Sequence, residues 1–200
     1  MLPKVGSILL IAVVGLVAFE AWRLSTPEVV RLRQTWQFDT PYGSQTVSDV
    51  VEIQQSAAIP YLPGGASGRS LVLGRLPVSV ALAGTRYYFY SNPIEILGRA
   101  VSSGFANPPI SMSDLPNAHT TGFIQRLSRA NARIAIPVAD LTTQDRGLFS
   151  VGTVADAAGN VQGSVVRLAD FEATHPRFHL RSISYVVTTD PITSGADEHP

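Results

Sequence analysis

The sequence contains no cysteine and only one lysine, Lys4, among its 15 basic residues. Without cysteine the chain has no disulfide, no thiol catalysis, no iron–sulfur cluster and no cysteine-ligated zinc site. Because the only lysine lies near the N-terminus, residues 25–200 lack a Schiff-base lysine, a phosphate-loop lysine and the lysine of a Ser-x-x-Lys pair. These absences exclude several enzyme classes and leave the function open.

The chain is also poor in charge. It carries 15 basic and 15 acidic residues, so its formal net charge is zero, and charged residues make up 15% of the sequence where about 25% is usual. A nucleic-acid-binding protein needs a basic excess, so we expect no nucleic-acid partner. The low charge favours a surface that is partly covered by partners or lipid.

One long hydrophobic run occupies residues 5–19, directly after Lys4. Extended to residue 24, it reaches the roughly 20 residues that a membrane-spanning helix needs. Trp22 would then lie at the level of the lipid headgroups, and Arg23 could reach the aqueous phase. The sequence therefore predicts an uncleaved transmembrane anchor over residues 1–24, with a cleaved signal peptide or a buried helix as alternatives.

The predicted anchor implies a single-pass protein of a bacterial inner membrane, with the lipid bilayer as one partner. The short N-terminal segment before the apolar run is typical of export signals and favours a periplasmic soluble domain. The positive-inside rule favours the cytoplasmic side, because Arg23, Arg31 and Arg33 follow the run. The cytoplasmic side therefore stays open.

Alternating apolar residues predict strands along most of the remaining chain. A hairpin is expected over residues 29–53, with its turn at residues 39–43, where Pro41 fixes φ and Gly43 can take a positive φ. Further strands are expected at residues 71–76, 78–83, 85–90, 134–138, 148–154, 161–168 and 178–188.

Two helices are predicted between these strands. Asn92 and Pro93 are typical of a helix start, and Gly104 ends that helix. A second helix is expected over residues 119–130. The fold class is therefore α+β: one N-terminal transmembrane helix, a β-rich and mainly antiparallel domain with two short helices over residues 25–190, and a flexible C-terminal tail over residues 191–200.

Three segments carry a resemblance to a known group of proteins. They are residues 40–52, with TPYG followed by SDVVE; residues 74–86; and residues 186–195, VVTTDPITSG. With them the chain resembles an uncharacterised alphaproteobacterial family of single-span, membrane-anchored β-rich proteins. The resemblance implies this architecture and anchoring. That family has no assigned activity, so the resemblance implies no catalytic residue.

Candidate reactive groups give no recognisable catalytic or metal site. His175 and His179 would lie about 13 Å apart on one face of a strand, too far for one metal ion. The loop at residues 156–160 holds one carboxylate, where a calcium loop needs several. Residues 65–68 fall one residue short of the G-x-S-x-G hydrolase motif. We therefore predict no catalytic residue, no metal and no cofactor.

The aromatic run at residues 86–90 is the best candidate for a binding surface. Alternation places Tyr87 and Phe89 on one face of a strand and Tyr88 and Tyr90 on the other, next to Arg86. Tyrosine and arginine are enriched in protein interfaces. One face could instead be core, and the helix that starts at Asn92 could cover the other.

The function expected from these observations is that of a non-catalytic, membrane-anchored accessory or assembly protein that binds another membrane protein or complex. Two alternatives remain: a β-rich domain that binds a lipid or glycan, and a hydrolase whose Ser, His and Asp residues the fold brings together.

Overall fold

The structure, a computed structural model, describes residues 14–15, 27–56, 70–74, 78–111, 122–141, 146–153 and 165–193. In this part of the chain, ten strands form two antiparallel sheets. The six-stranded sheet has the order β3-β2-β1-β10-β7-β6, and the four-stranded sheet has the order β4-β5-β8-β9. The strands are β1 (Glu28–Thr40), β2 (Gly43–Gln55), β3 (Ser70–Leu73), β4 (Val78–Leu82), β5 (Thr85–Ser91), β6 (Ala106–Asn107), β7 (Arg133–Pro137), β8 (Phe149–Thr153), β9 (Val166–Arg167) and β10 (His179–Val187).

Two tight hairpins follow from local sequence. β1 and β2 pair along their whole length around Pro41 and Tyr42, and Gly43 takes φ +116°, as the sequence predicts. The Thr40 hydroxyl donates to the Gly43 carbonyl at 2.7 Å and stabilises this turn. β4 and β5 are joined by two residues, and Ala83 is one of them, at φ 49°.

The two predicted helices are present. α1 (Pro93–Ser102) begins where expected, because the Asn92 side chain accepts a hydrogen bond from the Ile94 amide at 3.1 Å. α2 (Phe123–Ala130) ends at the predicted residue and buries its predicted apolar face. The start predicted for α2 lies outside the described residues. A short 3-10 helix (Val138–Asp140) follows β7.

The main core lies between the two sheets. Trp36 of β1 contacts Phe149 of β8 edge-on, with ring centroids 5.9 Å apart. The ring centroids of Phe38 in β1 and Phe89 in β5 are 4.9 Å apart. All four side chains are at most 1% exposed. The inward-facing residues of β1 are those that the alternation predicts, so this prediction is confirmed.

A C-terminal strap, residues 188–193, crosses the outer face of the six-stranded sheet. It leaves β10, pairs Asp190 with the Arg33 side chain of β1, and reaches β2. There the Thr193 amide donates to the Val50 carbonyl at 3.1 Å, and the Val50 amide donates to the Thr193 hydroxyl at 2.8 Å. Val50 is only 6% exposed, although the alternation places it on the outer face.

The prediction of an N-terminal transmembrane helix must be corrected. Among the residues that the structure describes, no helix is long and apolar enough to cross a membrane. The three α-helices whose full extent lies within the described residues have 10, 8 and 7 residues, about half or less of what a bilayer requires. The predicted single-pass location in a bacterial inner membrane depended on such a helix and is corrected with it. Of residues 1–24, only Val14 and Gly15 are described.

The number of helices is also corrected. The described residues contain a third helix, α3 (Leu168–Thr174), which begins at the last residue of the strand predicted at residues 161–168 and was not predicted from the sequence. Within that predicted strand, Val166 and Arg167 form β9 and pair with β8, Val166 with Val151 and Arg167 with Ser150. The chain then turns into α3 because Leu168 and Phe171 are buried at helical spacing. This helix brings a histidine to the candidate site.

Candidate functional site

The five residues of the predicted interface on β5 divide among three environments. Phe89 belongs to the core at 1% exposure. Tyr87 lies on the same side of the sheet, half-buried, with its ring 4.9 Å from that of Phe171 in α3. Tyr88, Tyr90 and Arg86 lie on the opposite side. Only these three can form a surface for a partner.

The outer face of the four-stranded sheet, named here the tyrosine face, carries Tyr88, Tyr90 and Arg86 in a row along β5. Tyr90 is 41% exposed, Arg86 is exposed and Tyr88 is half-buried. The cross-strand register places five further residues on this face: Ser79, Ala81, Ser150, Gly152 and Arg167. The face therefore combines two tyrosines and two arginines with four small residues.

Small neighbours keep the tyrosine face open around its rings. Tyr88 is flanked by Ser79 on β4 and Gly152 on β8, and Tyr90 lies opposite Ser150. Side chains directly opposite each other on adjacent strands are about 5 Å apart, so these small residues leave both rings accessible from above. Tyrosine set among serine and glycine is also the composition of many binding surfaces, because it offers a large contact area at a low entropic cost.

The tyrosine face is basic. Arg86 and Arg167 are its charged residues, and no aspartate or glutamate belongs to it. Neither arginine has an ion-pair partner in the part of the chain that the structure describes. Guanidinium groups that have no partner among the described residues can bind carboxylates of another molecule through two parallel hydrogen bonds.

Tyr87 leads to a second feature, a pocket of about 340 Å³ at one end of the two sheets, named here the hairpin-end pocket. The β1–β2 turn, the β4–β5 turn and the connection from α3 to β10 meet there. The lining residues are Pro41, Tyr42, Leu82, Ala83, Thr85, Tyr87, Thr174, His175, Pro176, Arg177 and Phe178. The buried side chains of Leu82 and Phe178 lie deepest, and Tyr42, 70% exposed, stands at the rim.

His175 is held rigidly in this pocket. Its ring stacks on Phe171 with centroids 4.1 Å apart and meets the Tyr87 ring edge-on at 5.6 Å. Its Nδ1 lies 3.0 Å from the Phe171 carbonyl oxygen and 3.0 Å from the Thr174 hydroxyl. A carbonyl only accepts, so Nδ1 carries the hydrogen and donates it. The ring is thus oriented by α3 rather than by a carboxylate.

His175 and His179, which the sequence predicts to lie too far apart to bind one metal ion, have different surroundings. His175 follows the end of α3, whereas His179 is exposed at the start of β10, opposite Asp39 of β1. No group of three or more potential metal-ligating side chains occurs among the described residues. The serine and carboxylate that a hydrolase site at His175 would require do not line the hairpin-end pocket.

Sequence reasoning missed His175 and Arg177 as pocket residues, because it treated the segment as a surface strand. The sequence does contain a pattern that indicates the helix preceding these residues. Leu168 and Phe171 are three residues apart within LADFEAT, a segment rich in helix formers, which indicates a helix that ends at His175. Nothing local to the sequence indicates that Tyr42, more than 130 positions away, lies across the same pocket.

Comparisons with known proteins add no constraint, since no protein-family model, no curated protein and no solved structure matches this chain. The two residues predicted to lie at a membrane interface, Trp22 and Arg23, are outside the described residues. The candidate sites therefore depend on geometry and chemistry alone.

Proposed function

We propose that this protein is a non-catalytic binding protein and that its tyrosine face docks on the acidic surface of a partner protein. The observation that supports this most directly is the row of exposed Tyr90, half-buried Tyr88 and exposed Arg86 on a sheet face whose other described residues are four small residues and a second arginine. Tyrosine and arginine contribute disproportionately to binding energy in protein interfaces.

The charge of the tyrosine face indicates the class of its partner. Arg86 and Arg167 give the tyrosine face a positive charge, and none of the described residues placed on this face is acidic. A second copy of this chain would bring the same arginines together across a two-fold axis, and like charges at an interface are unfavourable. A partner with clustered aspartate and glutamate side chains would instead supply the carboxylates that the guanidinium groups bind.

Site-specific photo-crosslinking in the organism that encodes the protein tests this proposal. The photoreactive residue replaces Tyr90 in one variant and Tyr42, the other exposed aromatic residue of the described part, in the matched control. We expect a protein with an acidic surface to crosslink at position 90 and not at position 42. Crosslinking to a second copy of the chain, or equal crosslinking at both positions, would contradict the proposal.

The crosslinked partner must then bind the purified protein through the same residues. The affinity, measured by isothermal titration calorimetry, should fall at least about tenfold for Tyr88→Ala/Tyr90→Ala. Arg86→Glu should weaken binding as well, and added salt should weaken binding to the original protein. A partner that binds all three proteins equally would show that the tyrosine face is not its docking site.

A further inference from the structure

The hairpin-end pocket is a second, separate site, because Tyr87 and Tyr88 point to opposite sides of β5. We propose that this pocket binds a small aromatic carboxylate. The aromatic part would lie between the rings that line the pocket, and the carboxylate would pair with Arg177. This assignment does not depend on the tyrosine face or on its partner.

The shape and lining of the pocket favour a ring-containing ligand. Its volume of about 340 Å³ lies at the lower end of the range for small-molecule sites, roughly 300–1,000 Å³. Tyr42, Tyr87, His175 and Phe178 surround it with rings, and two prolines add flat apolar surface. Aromatic rings pack well against one another in stacked or edge-on arrangements, which adds to the gain from burial.

Contacts within the protein hold three rings of the pocket in place. His175 is fixed by its stacking on Phe171 and by the hydrogen bond from its Nδ1, and Phe178 is fully buried. The Tyr87 ring contacts both of these stacked rings edge-on, with centroids 4.9 Å from Phe171 and 5.6 Å from His175. A prearranged site avoids most of the entropic cost of ordering side chains when the ligand binds.

The charge of the pocket lining indicates which polar group the ligand carries. Among the lining residues that the structure describes, Arg177 carries the formal charge, and none is an aspartate, glutamate, asparagine or glutamine. Its guanidinium group makes no ion pair within the described residues. A cationic ligand would be repelled by Arg177. A sugar would not find in this lining the carboxylate and amide side chains that bind several hydroxyl groups. A carboxylate matches the guanidinium group directly.

The test compares 2-naphthoate with its neutral analogue 2-naphthamide by isothermal titration calorimetry. We expect 2-naphthoate to bind about fivefold more tightly than the amide, the ratio that a solvent-accessible ion pair provides. Arg177→Gln should lower the affinity for 2-naphthoate to that for 2-naphthamide and leave the affinity for 2-naphthamide unchanged. Arg129→Gln, which removes an exposed arginine of α2, is the matched control and should change neither affinity.

A second variant separates the aromatic contacts from the charge. Tyr42 is 70% exposed at the rim, so Tyr42→Ala should leave the fold intact and weaken both ligands. Circular dichroism confirms folding in every case. Failure of both ligands to bind folded protein at millimolar concentration would overturn the pocket as a binding site. Equal affinities for the two ligands, or an Arg177→Gln variant with unchanged affinity for 2-naphthoate, would overturn the assignment of a carboxylate.

Discussion

Tyr87 and Tyr88 are neighbours in β5 and belong to different surfaces of the molecule. The ring of Tyr87 lies 4.9 Å from Phe171, on the inner side of the four-stranded sheet and in the lining of the hairpin-end pocket. Tyr88 faces outward between Ser79 and Gly152. One aromatic strand thus contributes to two candidate sites, because side chains alternate across a sheet.

The first prediction concerns the stability contributed by the two faces of β5. Phe89→Ala should lower the free energy of unfolding by about 3–5 kcal/mol, because Phe89 is buried against Phe38, Phe171 and Phe178. Tyr90→Ala removes a ring of similar size from the outer face and should cost less than about 1 kcal/mol. Urea denaturation of the two variants measures both values, and similar losses would contradict the assignment of faces.

The second prediction concerns the turn between β4 and β5. Ala83 has φ 49°, a conformation that is unfavourable for a residue with a Cβ and favourable for glycine. Ala83→Gly should therefore stabilise the protein by about 0.5–1 kcal/mol. Ala81→Gly, two residues earlier and within β4, should destabilise it by a similar amount. The two midpoints of thermal unfolding should thus move in opposite directions, and a shift of both in the same direction would disprove the turn geometry.

The third prediction concerns acid stability and Glu52. Hydrogen bonds from Gln54 and Arg31 hold the pKa of Glu52 below its ordinary value of 4.5. A carboxyl group whose pKa is lower in the folded state contributes stability above its unfolded pKa and loses it as the pH falls through the folded pKa. Glu52→Gln should therefore lower the free energy of unfolding at pH 7 by about 1–2 kcal/mol.

The pH dependence of this difference is the decisive measurement. The gap between the original protein and Glu52→Gln should stay constant from pH 7 to about pH 5 and close progressively below pH 4.5. Asp39 and Asp190 also have lowered pKa values, through hydrogen bonds from Arg181 and from Thr188 respectively. Both carboxyl groups change the stability of the original protein and of Glu52→Gln equally. The difference in the free energy of unfolding between the two proteins therefore reports on Glu52 alone. A gap that does not narrow as the pH falls below 4.5 would contradict the prediction.

Much of the local structure could be predicted because short-range physics governs it. The strand periodicity, the Pro41–Gly43 turn and the Asn92 helix start depend on residues within a few positions of one another. The prediction of an N-terminal membrane helix was wrong, because no helix among the described residues is long and apolar enough to cross a membrane. The family resemblance stays a prediction.

The sequence by itself determined which side chains share a face of each strand, since alternation is a property of the extended backbone. Only the tertiary structure decided which face is covered. The strap at residues 188–193 lies over Val50, which the alternation places outward. Likewise, Tyr42, Tyr87 and Arg177 line one pocket because three separate turns meet at the same end of the sheets. Such long-range contacts leave no trace in local periodicity, so the folded chain alone shows that Tyr90 is exposed and Phe89 is not.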